Sequence, residues 1–393
     1  MKTYYFDHSA STPMWPKVID TMTELMKLHY SNASSMHRSG VEASKLAERA
    51  RASVAERMMA KPQEVVFTSG GTESNNLALK GVVGKSTRAN KHIIVSAVEH
   101  ASVLECARQL EAQGVQLTIV PVDGKGRVDV ADIIRSLRKD TVLVSVMHVN
   151  NEVGAVQPIE EIAHALKEFP HVKFHVDGVQ AIGKVPFAFA ASGVHLYSGS
   201  AHKFGGPKGT GFLLVKEGVE LAPLFGGGSH EHGLRAGTTN VPAVVAMSQA
   251  LRLSLESQDA RRVRLFELRR KLHDIVAQIP ELVWNGVGVE PDREKDTAPH
   301  VVNVSYPGMR PEVLVHMLEE NGVLLSTQSA CSSKSLKPSR VLLAMGHDTD
   351  RASGGIRISF GDEHQESDLD ELGNRLKQAI SQLKALEKRS RPG

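Results

Sequence analysis

Lys203 lies in Ser200-Ala201-His202-Lys203-Phe204-Gly205-Gly206-Pro207-Lys208-Gly209, a lysine held among small residues and glycines. Upstream, a short apolar strand ends on an acid, Val172-Lys173-Phe174-His175-Val176-Asp177. A lysine and an aspartate at neighbouring strand ends match the needs of pyridoxal phosphate (PLP). The amine takes the cofactor aldehyde as a Schiff base, and the carboxylate keeps the pyridine nitrogen protonated so that the ring accepts electrons. A lone lysine in such a loop would more often be a surface residue. The neighbouring motifs overturn that reading.

One of them is Thr68-Ser69-Gly70-Gly71-Thr72-Glu73-Ser74-Asn75-Asn76, which joins a strand to a helix through two glycines. Exposed N–H groups of Gly71 and its neighbours and the positive helix end form a phosphate cradle, with a hydroxyl from Thr72. A plain helix cap reads equally well from this segment alone. Ser200 and His202 flank Lys203 and can add phosphate donors. His100 follows a strand and can stack on a cofactor ring or move protons.

The elements that must position these residues alternate. Helical patterns at Ser39 to Ala60, Glu73 to Val83 and Ala101 to Gln113 interleave with strands at Val65 to Thr68, His92 to Ser96 and Leu117 to Val120. Further strands are predicted at Thr141 to His148, Val172 to Val176, His195 to Ser198 and Gly211 to Val215. This is an α/β pattern, a large, mostly parallel sheet with helices on both faces and ligands at the carboxyl ends of its strands. No Gly-x-Gly-x-x-Gly opens a helix after the first strand, which argues against a dinucleotide fold. Near residue 255 the pattern shifts to a charged helix at Ala260 to Ile279. Strands at Val301 to Ser305, Val323 to Ser326 and Ile356 to Phe360 follow, with helices at Pro311 to Glu320 and Ser367 to Leu386. Residues 16–254 are expected to form the large PLP-binding domain, and 1–15 with 255–393 a smaller α+β domain.

Composition sets the limits. The 393 residues are 41% hydrophobic and 23% charged, with 47 basic and 44 acidic side chains and a net charge of +3. That balance gives no basic patch for nucleic acid. Apolar runs reach strand length and no more, so no membrane association is expected. The N-terminal residues lack a signal peptide's apolar core, and a cytoplasmic protein is expected. The two cysteines, Cys106 and Cys331, are too few for a zinc site of their own, and the 18 histidines show no metal-binding spacing.

Taken in order, the motifs resemble the cysteine desulfurases, PLP enzymes of the class V aminotransferase type. Phe67 to Asn76, Met147-His148-Val149-Asn150-Asn151-Glu152-Val153-Gly154, His175 to Gln180 and Ser200 to Lys203 carry the likeness. Gly233-Leu234-Arg235-Ala236-Gly237-Thr238, Ser329-Ala330-Cys331-Ser332-Ser333 and Ile356 to Gly361 complete it. The resemblance implies the fold type I architecture of PLP-dependent transferases. It also implies that Lys203 carries the cofactor, Asp177 pairs with the ring nitrogen, Gln180 bonds the ring hydroxyl and His100 stacks on the ring. Thr72, Ser200 and His202 would hold the phosphate, with Thr238 reaching across from the second subunit of a homodimer. Asn151 and Arg357 would bind the substrate carboxylate. Departures from the usual pattern fall at Asp7-His8-Ser9-Ala10-Ser11-Thr12-Pro13, at Asn32-Ala33-Ser34-Ser35, at Gly227 to Glu231, and at Gly178 in place of a frequent alanine. None removes a catalytic group.

Cys331 narrows the reaction. It stands among small polar residues, after a strand and before a proline-started helix, with Lys334 and Lys337 near enough in sequence to favour its thiolate. Cys106, on its helix, reads as a buried inert thiol. The resemblance implies that L-cysteine becomes L-alanine while its sulfur passes to Cys331 as a persulfide. That sulfur would go to an acceptor protein for iron–sulfur cluster, cofactor or tRNA biosynthesis. Rival readings are another PLP enzyme of this fold, such as an aminotransferase, kynureninase or selenocysteine lyase, and a sulfur-carrying scaffold that keeps PLP only structurally.

Overall fold

The computed structural model describes residues 2–327 and 337–390, with side chains to 385. Its strands are β1 (Tyr4–Tyr5), β2 (Val65–Thr68), β3 (His92–Ser96), β4 (Gln116–Val120), β5 (Thr141–Ser145) and β6 (Lys173–Asp177). They continue with β7 (Leu196–Ser200), β8 (Gly211–Val215), β9 (Val283–Asn285), β10 (Val301–Ser305), β11 (Val323–Leu324) and β12 (Gly355–Ser359). Seven of them form one sheet in the order β2-β8-β7-β6-β5-β3-β4. All neighbours are parallel except β8, which runs antiparallel to both β2 and β7. Six carboxyl ends therefore share one edge.

The central strands are buried on both faces, so they read as near-continuous apolar runs. Alternation still decides which face each side chain joins. Val65, Phe67, Ile94, Val144 and Leu214 pack into a core with the helices Arg38–Arg57 and Val241–Glu256. Val66, Ile93, Val95, Leu143 and Leu213 pack into a second core with the helices Gly71–Lys85 and Ala101–Ala112. That period of two is the pleat itself. The helices Pro16–Leu28 and Val241–Glu256, which the sequence reading did not mark, pack on each other.

A second sheet, β12-β10-β9, is antiparallel and backs onto the helices Gln258–Ala277 and Glu366–Ser390. The N-terminal arm joins this layer, with β1 parallel to β11 and Asp7 bridged to Ser359. Two expected strands end earlier than predicted. The run from Thr141 stops at Ser145: the Val146 and His148 N–H groups still donate to His175 O and Asp177 O of β6, but the Met147 N–H between them donates to the Glu99 carboxyl. The run from Val323 stops at Leu324, and Ser326 survives only as an isolated bridge opposite Arg357.

Candidate active site

Five of the six strand ends, those of β2, β3, β5, β6 and β7, deliver parts of the site. A cavity of about 190 Å³ at the shared edge is lined by Gly71, Thr72, Asn75, His100, Asn151, Asp177, Gln180, Ser200, His202, Lys203 and Arg357, together with Ser9 and Ala10 of the N-terminal arm. All the cofactor and substrate residues expected from sequence meet there except Thr238, which is exposed on its own chain. Cys331 and Lys334 lie outside the described residues.

Asp177 ends β6 and forms the floor. Its Oδ2 accepts from Asn75 Nδ2 at 2.8 Å and its Oδ1 from the Val179 N–H at 3.0 Å. The sequence reading gave Asn75 no role, although it sits one helical turn beyond Gly71 and so shares its face. Asn75 is 1% exposed, and its Oδ1 is buried with no hydrogen-bond partner. The helix that carries it starts at Gly70 (φ 145°) with no side-chain cap, so its first N–H groups remain for an anion. Ser200 borders that start: a methyl built on Gly70 would lie 3.5 Å from Ser200 Oγ. A methyl on Gly71 would meet Val179 Cγ2 at 2.7 Å, so only glycine lets the helix approach this closely.

His100 caps the next helix, Nδ1 accepting from the Ser102 N–H at 3.1 Å and facing Ser102 Oγ at 2.8 Å. Burial holds its pKa below the usual range, against the pull of Asp177. The ring is therefore neutral at pH 7 and carries its proton on Nε2. Burial pushes His202 down to about 4, so it too is neutral.

Lys203 follows β7 on a short helical turn. Its Nζ donates to the carbonyls of Ser9 (2.6 Å) and Ala10 (2.7 Å), while its own carbonyl accepts from Lys184 Nζ at 2.8 Å. Trp15 fixes the following loop, Nε1 donating to Phe204 O at 3.1 Å. Its indole fills the place of a Gly205 side chain, and Gly205 has φ 81°. Gln180 donates to Ser9 O at 2.9 Å. At the far end Arg357, 1% exposed, donates to Asn151 O at 3.0 Å and to Asp7 Oδ1 at 2.9 Å.

The residues present fit PLP. A floor carboxylate, a lysine, an imidazole and an uncapped helix start are the groups that its ring nitrogen, aldehyde, ring face and phosphate would call for. The unpartnered Asn75 Oδ1 and Arg357 Nε are buried polar atoms at the same cavity.

The sequence departures have local reasons. An alanine methyl at Gly178 would fall 2.0 Å from the Tyr197 ring, which explains the glycine. The altered segments at Ala33-Ser34 and Ser229-His230 meet in space, His230 Nε2 lying 3.1 Å from Ser34 Oγ. Cys106 is buried and burial pushes its thiol up to about 11, as an inert thiol requires.

A family model described as Aminotransferase class-V matches residues 4–372. The chain is 40% identical over 383 residues to the cysteine desulfurase IscS of Dictyoglomus turgidum, covering 97% of this chain and 95% of that protein. It is 38% identical over 386 residues to a cysteine desulfurase IscS of Clostridium botulinum, covering 98% and 96%. A solved structure of a NifS-like protein superposes with a TM-score of 0.89 at 34% identity, over 96% of this chain and 99% of the other.

Proposed function

From its place in the class V aminotransferase family, to which this chain belongs, we propose that the protein is a PLP-dependent cysteine desulfurase. It converts L-cysteine to L-alanine and supplies the sulfur for iron–sulfur cluster or other sulfur-containing cofactor or tRNA biosynthesis. The observation that carries the reading is the convergence of Lys203, Asp177, His100, Gln180, Asn151 and Arg357 on one cavity.

When bound, PLP supplies an electron sink for bond cleavage at the substrate Cα and Cβ. Lys203 would carry it, and Asp177, held by Asn75, would pair with its ring nitrogen. Gln180 would bond its ring hydroxyl and His100 would cover its ring face. Thr72, Ser200, His202 and the helix start at Gly71 would hold the phosphate. Arg357 grips the substrate carboxylate beside Asn151, since a guanidinium fork matches that group. The Lys203 amine takes the Cα proton, and neutral His100 holds a proton on Nε2 that it can donate. The Cys331 thiolate attacks the substrate sulfur. An S–S bond forms, the C–S bond breaks, and its electron pair stays on the carbon fragment, which leaves as alanine after protonation.

The protein works as a homodimer in the cytoplasm and passes the persulfide sulfur to an acceptor protein. Support for the dimer comes from the exposed Tyr30 (85%), Met36 (96%) and Phe225 (51%), and from Thr238, which stands outside its own chain's cavity. Among the described residues no helix is long and apolar enough to cross a membrane. We infer a large domain at 16–254 and a small one at 1–15 with 255–393, and the reading is supported by a cavity lined from both parts, Asp177 and Lys203 on one side and Ser9, Ala10 and Arg357 on the other.

The test is to incubate the protein with L-cysteine and a reductant, and to quantify alanine and sulfide for wild type and Cys331→Ala. Products from wild type alone support the reading. Equal turnover by both defeats the persulfide step and favours a lyase or a transaminase.

A further inference from the structure

Arg357 lines the cavity, but a buried guanidinium is a weak anchor unless something fixes its plane. The structure supplies a fixture from three adjacent chain segments. The N-terminal arm runs between β11 and β12: Phe6 N–H donates to Leu324 O at 2.7 Å, and Ser359 N–H donates to Phe6 O at 2.8 Å. This places Asp7 beside Ser359, two residues from Arg357. Ser326 is bridged to Arg357 on the same edge of β12, Arg357 N–H donating to Ser326 O at 2.7 Å. The Asp7 carboxylate then spans the other two segments. Oδ1 accepts from Arg357 Nη2 at 2.9 Å and Oδ2 from Ser326 Oγ at 2.7 Å.

Asp7 is not among the cavity walls, whereas Arg357 is. The guanidinium therefore stands between Asp7 and the cavity. With one edge engaged by Asp7 and Asn151 O, its buried Nε–H has no partner. An orienting anion behind the fork keeps a fully buried cation compensated before substrate arrives. It also spares the substrate the cost of ordering the side chain.

We propose that Asp7, steadied by Ser326, is a positioning residue that presents Arg357 to the substrate carboxylate and so sets the selectivity for amino acids over simple amines. The proposal rests on the functional reading above and assigns that site a residue 350 positions away from the one it orients.

The experiment uses the PLP-loaded protein and reads ligand affinity from the cofactor's absorbance change, with L-alanine and with cysteamine, which has the amine but no carboxylate. Asp7→Ala should weaken L-alanine about 10- to 100-fold, the worth of a hydrogen bond to a charged group. Cysteamine should bind as to wild type, within about twofold. Asp7→Asn keeps the shape and loses the charge, so it should fall between, with Ser326→Ala weaker still in effect and in the same direction. Asp7→Asn also serves if Asp7→Ala unfolds, which thermal melting would reveal. Equal losses for L-alanine and cysteamine would mean a general structural role and overturn the proposal, as would unchanged L-alanine affinity in both Asp7 variants. Failure of the wild type to release alanine and sulfide would defeat the functional reading alone, because carboxylate selectivity is read here by binding.

Discussion

The two ends of the cavity are built by different means. At the cofactor end, Asp177, Ser200, His100 and the helix start at Gly71 all stand at or just beyond carboxyl ends of one seven-stranded sheet. At the proposed carboxylate end, Arg357, Asn151, Asp7 and Ser326 come from chain segments far apart, and the N-terminal arm joins them. One end takes its geometry from a buried, mostly parallel sheet; at the other, Asn151, from beyond β5, meets Arg357 and Asp7, which long-range strand pairing brings together. The first should be rigid and costly to alter, the second adjustable through partners that never touch substrate.

The comparison would break first at Lys203. With the roles proposed above, Lys203→Ala would remove both the covalent attachment and the base, and alanine formation should fall on the order of a thousandfold or more. Borohydride should fix cofactor to the wild-type chain and not to the variant. Next in size is Asn75→Ala, which takes the 2.8 Å donor from Asp177 Oδ2. A lost bond to a buried charge predicts a drop in kcat of about 10- to 100-fold with the L-cysteine KM little changed. The reverse pattern, a raised KM at unchanged kcat, would erase the distinction between the ends, because that signature belongs to the carboxylate side.

The same difference governs what could be read from sequence. Lys203, Asp177, Gly71 and Thr72 lie in short motifs at strand ends, where the local pattern fixes both element and position. The strands Val65–Thr68, Gly211–Val215 and Val301–Ser305 match the predicted bounds for the same reason. Arg357 was reached only through resemblance, and Asp7 was not reached at all. Its placement depends on a two-residue strand, Tyr4–Tyr5, whose partner is Val323–Leu324. No periodicity shows in two residues. Asn75 was visible in its motif, but its purpose depends on Asp177, 102 positions away. The helix Val241–Glu256 escaped because it is apolar nearly all round, which hides the helical period.

Acid should weaken both layers. His92, His148 and His175 lie on or beside the large sheet, and burial pushes them down to about 4, 4 and 3. Beside the small antiparallel sheet, burial holds His300 well below the usual range as well. An unfolded chain takes up protons on these rings near pH 6.5, whereas the folded chain resists until about pH 4 or below. Stability therefore rises with pH across that interval and is lost as the pH falls. His175→Gln should remove one proton from the linkage, flattening the unfolding free energy against pH by about 1.4 kcal/mol per unit. Urea titrations at pH 6.5, 5.5 and 4.5 measure it, and an unchanged slope would remove His175 from the account.

The smallest expected effect is at Glu99, beside His100 at the cofactor end. Glu99 is wholly buried: Oε1 accepts from Ser96 Oγ at 2.5 Å and from the Met147 N–H at 2.7 Å, while Oε2 has no partner. Burial pushes its pKa up to about 8, and Asp177 adds to the rise. The side chain is thus an uncharged acid at pH 7, which keeps a second negative charge away from Asp177. Glu99→Gln preserves that neutrality and the accepting oxygen, and replaces one unpartnered buried group with another. Its kcat should stay within about threefold of wild type, where Glu99→Ala, which strands the Met147 N–H, should lose more. In wild type the folded chain keeps this proton up to about pH 8 and the unfolded chain loses it near pH 4.5, so stability falls as pH rises through that window. Glu99→Gln should abolish that decline in denaturant titrations between pH 6 and 8. A glutamine variant that loses activity as badly as alanine would instead mean that Glu99 acts ionised, and that the cofactor end tolerates two anions.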